Sequence, residues 1–187
     1  LMYRIESTIT NAASSSMKQI CSTVMVEGGQ EESFGFPRPI STAVAGVACS
    51  TNRALIGIRP ALTFNGLTNR TRIRLVDVSA SCQSANARLK LVYKPTAVVG
   101  AQWTNTVGTV NFDLNGGGVT GGDVLAAWEI VASTGLNRMA DRRTVNLRDS
   151  PLTLDFNGLN PNELYLVAEP VSGTPVVTAD INIVEEY

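Results

Sequence analysis

The chain has 187 residues, of which 44% are hydrophobic and only 17% are charged, with a net charge of −1 from 15 basic and 16 acidic residues. This length allows one large domain with a continuous core. The balanced charge argues against a nucleic-acid binder and against attachment to an anionic membrane, since both need a basic excess. No apolar run reaches the length of a membrane span, so no membrane insertion is expected.

Alternation of apolar and polar residues with a period of two runs through most of the chain and predicts β-strands. Asn-Gly and Ser-Gly dipeptides between the alternating runs mark tight turns. The predicted strands are, in chain order, Leu1–Ile9, Arg70–Ser79, Arg88–Tyr93, Val107–Leu114, Asp123–Ala132, Thr144–Leu147, Leu152–Phe156, Glu163–Ala168 and Val176–Val184. With further short strands, about ten to twelve in all, the chain is predicted to be all-β, a jelly-roll-like antiparallel β-sandwich that forms one domain over residues 1–187.

The remaining segments give weaker signals. Met17–Met25 carries apolar residues at helical spacing but is also rich in β-branched residues, so helix and strand both stay open, and strand is favoured because the neighbouring segments are strands. Gln30–Pro39 and Thr96–Trp103 are predicted to be long loops from their Gly, Pro and polar content. Gly116–Gly122 has five glycines in seven residues and is predicted to be a mobile excursion.

Catalytic chemistry has little support in the sequence. The chain contains no His, so Ser-His-Asp and Cys-His arrangements are excluded and the commonest metal ligand is missing. Acidic residues are frequent, but no spacing singles out a pair for acid–base catalysis. Asp113–Gly116 is similar to the first half of a calcium loop but lacks the later Glu, because Val124 stands there, so a turn is favoured. We therefore expect a protein that is not an enzyme and that has no metal or cofactor.

The cysteines are Cys21, Cys49 and Cys82, an odd number without CxxC spacing. Three reduced, buried thiols are the favoured interpretation. A disulfide with one cysteine left over stays open as an alternative.

Two features are candidates for a contact surface. Arg70, Arg72 and Arg74 alternate with apolar residues and are predicted to share one strand face, either solvated, paired with acids on the neighbouring strand, or in contact with a partner subunit or an anionic glycan. Trp103 follows a predicted loop and is the tryptophan expected to be exposed. Trp128 lies in an apolar strand and is expected in the core.

Several short stretches resemble structural proteins of marine tailed phages. These stretches are Tyr3–Glu6, Met17–Val24, Glu27–Gly29, Gly57–Pro60, Phe64–Gly66, Asn69–Arg70 and Ile183–Tyr187. The resemblance runs through nearly the whole chain and implies a virion component, assembled in the host cytoplasm. Because a further β-rich region precedes the first of these stretches in such proteins, it also implies that this chain is the C-terminal part of a longer polypeptide.

From this we expect a non-enzymatic virion structural protein, either a capsid decoration or a fibre or tail component, that acts through subunit–subunit contacts. Its expected partners are further copies of itself, with a trimer as the first guess, and other virion proteins. The alternative is a module of a fibre or tail tip that binds a receptor or a host glycan.

Overall fold

The structure is a computed structural model and describes residues 35–132, the backbone of residues 141–144, and residues 151–186. These ranges contain only strands and loops, so the all-β prediction is confirmed. No helix in them has the length and apolar character needed to cross a membrane. The strands are β1 Phe36–Ser41, β2 Val47–Ala48, β3 Arg53–Pro60, β4 Thr63–Phe64, β5 Leu67–Thr68, β6 Arg72–Gln83, β7 Ala87–Tyr93, β8 Ala97–Val98, β9 Asn105–Val107, β10 Val110–Asp113, β11 Val119–Thr120, β12 Asp123–Ile130, β13 Asp141–Thr144, β14 Leu164–Pro170 and β15 Val176–Glu186.

Eleven of these strands form the two sheets of a sandwich. One sheet has the order β1-β15-β6-β13, with β2 added beside β15, and the other has the order β12-β7-β14-β3-β10-β9. The antiparallel pairs β1–β15, β3–β14, β6–β13 and β7–β12 are nested, as in one long hairpin whose two arms roll up together. Nested pairing of this kind, divided between two sheets, is the jelly roll that the sequence predicted.

The inner faces of both sheets supply one core. β15 shows strict alternation, with Val177, Ala179, Ile181 and Ile183 buried and the residues between them partly exposed. Side chains of β3, β6, β7 and β14 pack against this row from both sheets. The alternation that the sequence displays is therefore the inward and outward alternation of the sandwich.

A second, smaller core covers the outer face of the six-stranded sheet. Ala54, Val92, Tyr165 and Val167 are buried there under Val98, Trp103 and Val119. The covering layer contains the two-stranded ribbon β8–β11. β3 is consequently buried on both faces along most of its length.

Several boundaries differ from the sequence predictions. Val107–Leu114 is broken at Gly108, whose φ of 58° lets the chain turn back as the β9–β10 hairpin. Leu152–Phe156 is not a strand, since only Leu152 and Leu154 form isolated bridges. The predicted loop Gln30–Pro39 overlaps β1, a strand at the sheet edge, where the missing proline donors are tolerated.

Some predictions concern residues outside the described ranges, whereas the prediction for two of the cysteines can be compared with the structure. Leu1–Ile9, Met17–Met25 and Cys21 lie outside the described residues, as do most of the residues in the predicted strand Thr144–Leu147. Cys49 and Cys82 are free and buried as predicted, and burial raises the pKa of both thiols.

Candidate contact surfaces

The three arginines of the predicted stripe alternate as expected but do not share one environment. Thr71, Ile73 and Leu75 between and after them are buried, so the arginine side chains point outward. Arg74 forms an ion pair with Glu186 of the neighbouring strand β15. Arg70 and Arg72 are exposed and form no hydrogen bond or ion pair with any residue that the structure describes. The cross-strand pairing that the sequence suggested therefore holds for one arginine of the three.

Trp103 lies far from this stripe in the fold, over the outer face of the six-stranded sheet. The guanidinium carbon of Arg59 stands 4.2 Å from the centre of its ring, and the ring of Tyr165 meets it edge-on at 5.5 Å. Arg59 also forms an ion pair with Glu163, at 2.8 Å. Trp103 is thus half-buried and fixed between neighbours, and the structure does not bring it together with the arginine stripe. Trp128 packs against the main core, as predicted.

Tyr165, Gly57 and Asp113 form one row across β14, β3 and β10 beneath Trp103. The ring of Tyr165 lies over Gly57, so close that a Cβ on Gly57 would stand 2.4 Å from the ring atom Cε1. The Tyr165 hydroxyl and the Asp113 Oδ2 atom are both buried and have no hydrogen-bond partner. Burial, together with the negative charges of Glu163 and Asp113, raises the pKa of Tyr165, so the phenol stays protonated.

The glycine-rich segment 116–122 is tied to its surroundings, in contrast to the predicted mobile excursion. The Gly117 carbonyl accepts the N–H of Ala54, and the Gly117 N–H donates to the carbonyl of Val99. The side-chain amide of Asn52 donates to the Val119 carbonyl and accepts the Val119 N–H. Glycine is required where the chain approaches closely, because a Cβ on Gly116 would stand 2.7 Å from the side chain of Ala54. This segment covers the outer core instead of projecting from it.

Asp113 caps the turn that leads into this segment. The sequence analysis favoured such a turn over a calcium loop at Asp113–Gly116. Its Oδ1 atom accepts hydrogen bonds from the backbone N–H groups of Gln102 and Asn115, at 3.1 and 2.9 Å. Within the described ranges no group of three or more acidic or cysteine side chains is arranged to hold a metal ion.

An exposed apolar surface lies at the end of the sandwich next to Arg70, and we call it the end patch. It consists of Leu62 and Leu67 of the β4–β5 hairpin and Phe156 and Leu159 of the turn 155–160, with Arg70 beside them. The exposed fractions are 47% for Leu62, 73% for Leu67, 96% for Phe156 and 69% for Leu159. The two segments adjoin, since a Cβ on Gly158 would stand 2.6 Å from Thr68 and 3.9 Å from Arg70.

The turn that carries Phe156 is held in shape by the Asp155 carboxylate. Its Oδ1 atom accepts the N–H of Leu159 at 2.8 Å, and its Oδ2 atom accepts the side-chain amide of Asn160 at 2.6 Å. The Gly158 N–H also bonds the Asp155 carbonyl. The Asn160 amide and then the Leu159 N–H lower the pKa of Asp155. Phe156 is therefore presented to solvent by a preorganised turn.

The end patch contains a pocket of about 240 Å³, lined by Phe64, Leu67, Thr68, Asn69, Arg70 and Thr71. Its floor is rigid, because the buried Asn69 amide donates to the carbonyls of Ala61 and Thr109, each at 2.9 Å. Of the predicted contact residues, only Arg70 lines this pocket. The sequence analysis missed the rest, and the signal that could have found it is a Phe placed inside the turn sequence Asp155–Gly158, where polar residues are usual.

Comparisons with known protein families, with curated proteins and with solved structures find no match. The resemblance to phage virion proteins therefore stays a prediction.

Proposed function

We propose that this jelly roll is a non-enzymatic structural module that acts through contacts between protein subunits. The observation that carries the proposal is the end patch, where a Phe is 96% exposed on a turn fixed by hydrogen bonds. Exposed apolar patches that a protein keeps in a fixed shape mark interaction surfaces. Aromatic residues and Arg, which occur together here, are the types enriched in protein interfaces.

The proposed setting is the virion of a tailed phage, as a capsid decoration or as a fibre or tail component. The sequence resemblance supports this setting, and a jelly roll is compatible with it because that fold occurs in capsid proteins. Fold alone does not assign a function, so the setting depends on the resemblance.

Self-association is tested by light scattering coupled to gel filtration at micromolar concentration. We expect a homo-oligomer, with a trimer of three 19.9 kDa chains as the first expectation. A protein that stays monomeric up to high concentration contradicts self-association of this chain.

The place in the particle is tested by quantitative immunoblotting and antibody-labelled electron microscopy of purified particles. Many copies over the head indicate a decoration, whereas a few copies at the tail indicate a fibre or tip component. Absence from purified particles contradicts the virion setting.

The alternative proposal, a module that binds a host glycan, has Trp103 as its candidate residue. Sugar rings stack on free aromatic faces, but Arg59 already occupies one face of Trp103 and Tyr165 meets its edge. A glycan array with the parent protein and the Trp103→Ala variant tests this alternative. Binding that Trp103→Ala abolishes would favour it over the assembly role.

A further inference from the structure

We infer that the end patch is a docking surface for a different protein, one that presents apolar side chains flanked by carboxylates. This inference deepens the proposed assembly function and rests on it. It names the chemistry of the partner and assigns the contact to a defined surface.

The apolar residues of the surface lie on two adjoining segments, and both segments are rigid. Leu67 and Phe156 project from two adjoining turns, and each turn is fixed by buried or charge-assisted hydrogen bonds. A surface that is already ordered loses little conformational entropy when a partner binds. The pocket beside Leu67 has room for an apolar side chain from that partner.

The charged part of the surface selects the partner. Arg70 and Arg72 follow the patch at alternate positions and have no ion-pair partner among the residues that the structure describes. The carboxylate of the turn in the patch, Asp155, already accepts hydrogen bonds from the Leu159 N–H and the Asn160 amide. Two unpaired guanidiniums beside an apolar surface complement carboxylates on another molecule.

For the end patch itself a second copy of this chain is the less suitable partner, so the self-association expected above would use another surface. Contact of two end patches would bring four arginines together, and like charges across an interface are unfavourable. The described carboxylates elsewhere are already engaged, with Glu129, Glu163, Glu169 and Glu186 in ion pairs. Asp77, Asp113 and Glu185 are buried and Asp180 accepts a bond from Ser79, which leaves Asp123 as the one described carboxylate without a partner.

Binding is measured by fluorescence anisotropy of three labelled synthetic peptides added to the whole chain. The first peptide has a Leu-Leu-Trp centre flanked by Glu, the second has Lys in place of every Glu, and the third has Ser in place of the apolar residues. We expect the Glu peptide to bind best and to weaken as salt is raised, because exposed charges are screened.

Two variants and two controls locate the contact. We expect Phe156→Ser to weaken binding of the Glu peptide about tenfold or more, as loss of a central aromatic contact does. Val44→Ser is the matched control, since Val44 is 90% exposed at the opposite end of the sandwich. The double variant R70E/R72E is expected to prefer the Lys peptide, whereas Lys94→Glu, on an exposed loop of the other sheet, leaves the preference unchanged.

Equal binding of the Glu and Lys peptides, or no binding of either, overturns the inference. Loss of self-association in Phe156→Ser without any peptide preference also overturns it, because the patch would then bind a second copy. That last result would leave the proposed assembly function standing, so the two failures are distinguishable.

Discussion

Replacing Gly57 by Ala tests the packing of the outer core. The added Cβ would stand 2.4 Å from Cε1 and 2.8 Å from Cζ of Tyr165, whereas ordinary contacts begin near 3.4 Å. The ring must therefore move by about 1 Å, although it is fully buried and Trp103 packs against it. Overpacking of this kind costs about 3 kcal/mol, and Ala regains about 1 kcal/mol over Gly in a strand, so we expect a net loss of about 2 kcal/mol.

The assay is equilibrium unfolding in urea, read by tryptophan fluorescence. Gly118→Ala is the matched control, because a Cβ there meets nothing closer than 3.8 Å, and we expect it to change stability by less than about 0.5 kcal/mol. In a Tyr165→Leu background the shorter side chain leaves space, and Gly57→Ala should then be neutral. An equal loss in both backgrounds, or no loss in either, would refute the proposed contact between Gly57 and the Tyr165 ring.

Three further predictions concern carboxylates and thiols. Glu185 is fully buried and accepts the Thr109 N–H at 2.8 Å, so Glu185→Ala should lower the free energy of unfolding, measured in urea, by about 3 kcal/mol. The control is Glu129→Ala, at an exposed ion pair, which should lower it by less than about 1 kcal/mol. Burial raises the pKa of Cys49 to about 11, so iodoacetamide at pH 8 should modify it slowly in the native protein and rapidly in denaturant, and fast native labelling would contradict its burial. Because the pKa of Asp155 is lowered in the fold, its contribution to the turn should be complete above about pH 4 and disappear as the pH falls through the lowered value. Hydrogen exchange at Leu159 measures this, and Asp155→Asn should remove the pH dependence.

The sequence predicted the strands that keep one face in solvent. Of the two central strands that are buried on both faces, it predicted β14, as Glu163–Ala168, but not β3. β15 alternates along its whole length and β7 alternates as far as Leu91, because one face packs in the core and the other is mostly polar. β3 lies between two cores, so its apolar residues run almost continuously and show no period of two. A period of two appears in the sequence only where a strand is buried on one face. Part of the second layer over β3 comes from the glycine-rich segment 116–122, which is distant in the sequence.

The candidate surface was predictable only in part for a related reason. The outward direction of Arg70 and Arg72 follows from alternation, and that is visible in the sequence. The end patch combines residues 62–70 with the turn 155–160, about ninety positions later in the chain. Only the tertiary fold brings the segments of Leu67 and Phe156 side by side, whereas the alternation that ends at Phe156 predicts a strand.

The second core also weakens the inference from amino-acid composition to oligomer formation. A chain with 17% charged residues has more apolar surface than one sandwich interior absorbs, which suggests burial between subunits. Here the outer layer on the six-stranded sheet takes up part of that surface, including Trp103 and Val119. Low charge alone therefore does not require an oligomer. The case for assembly depends on the apolar residues that neither core covers. It is strongest at Phe156 and Leu67, beside two arginines that have no ion-pair partner in the part of the chain that the structure describes.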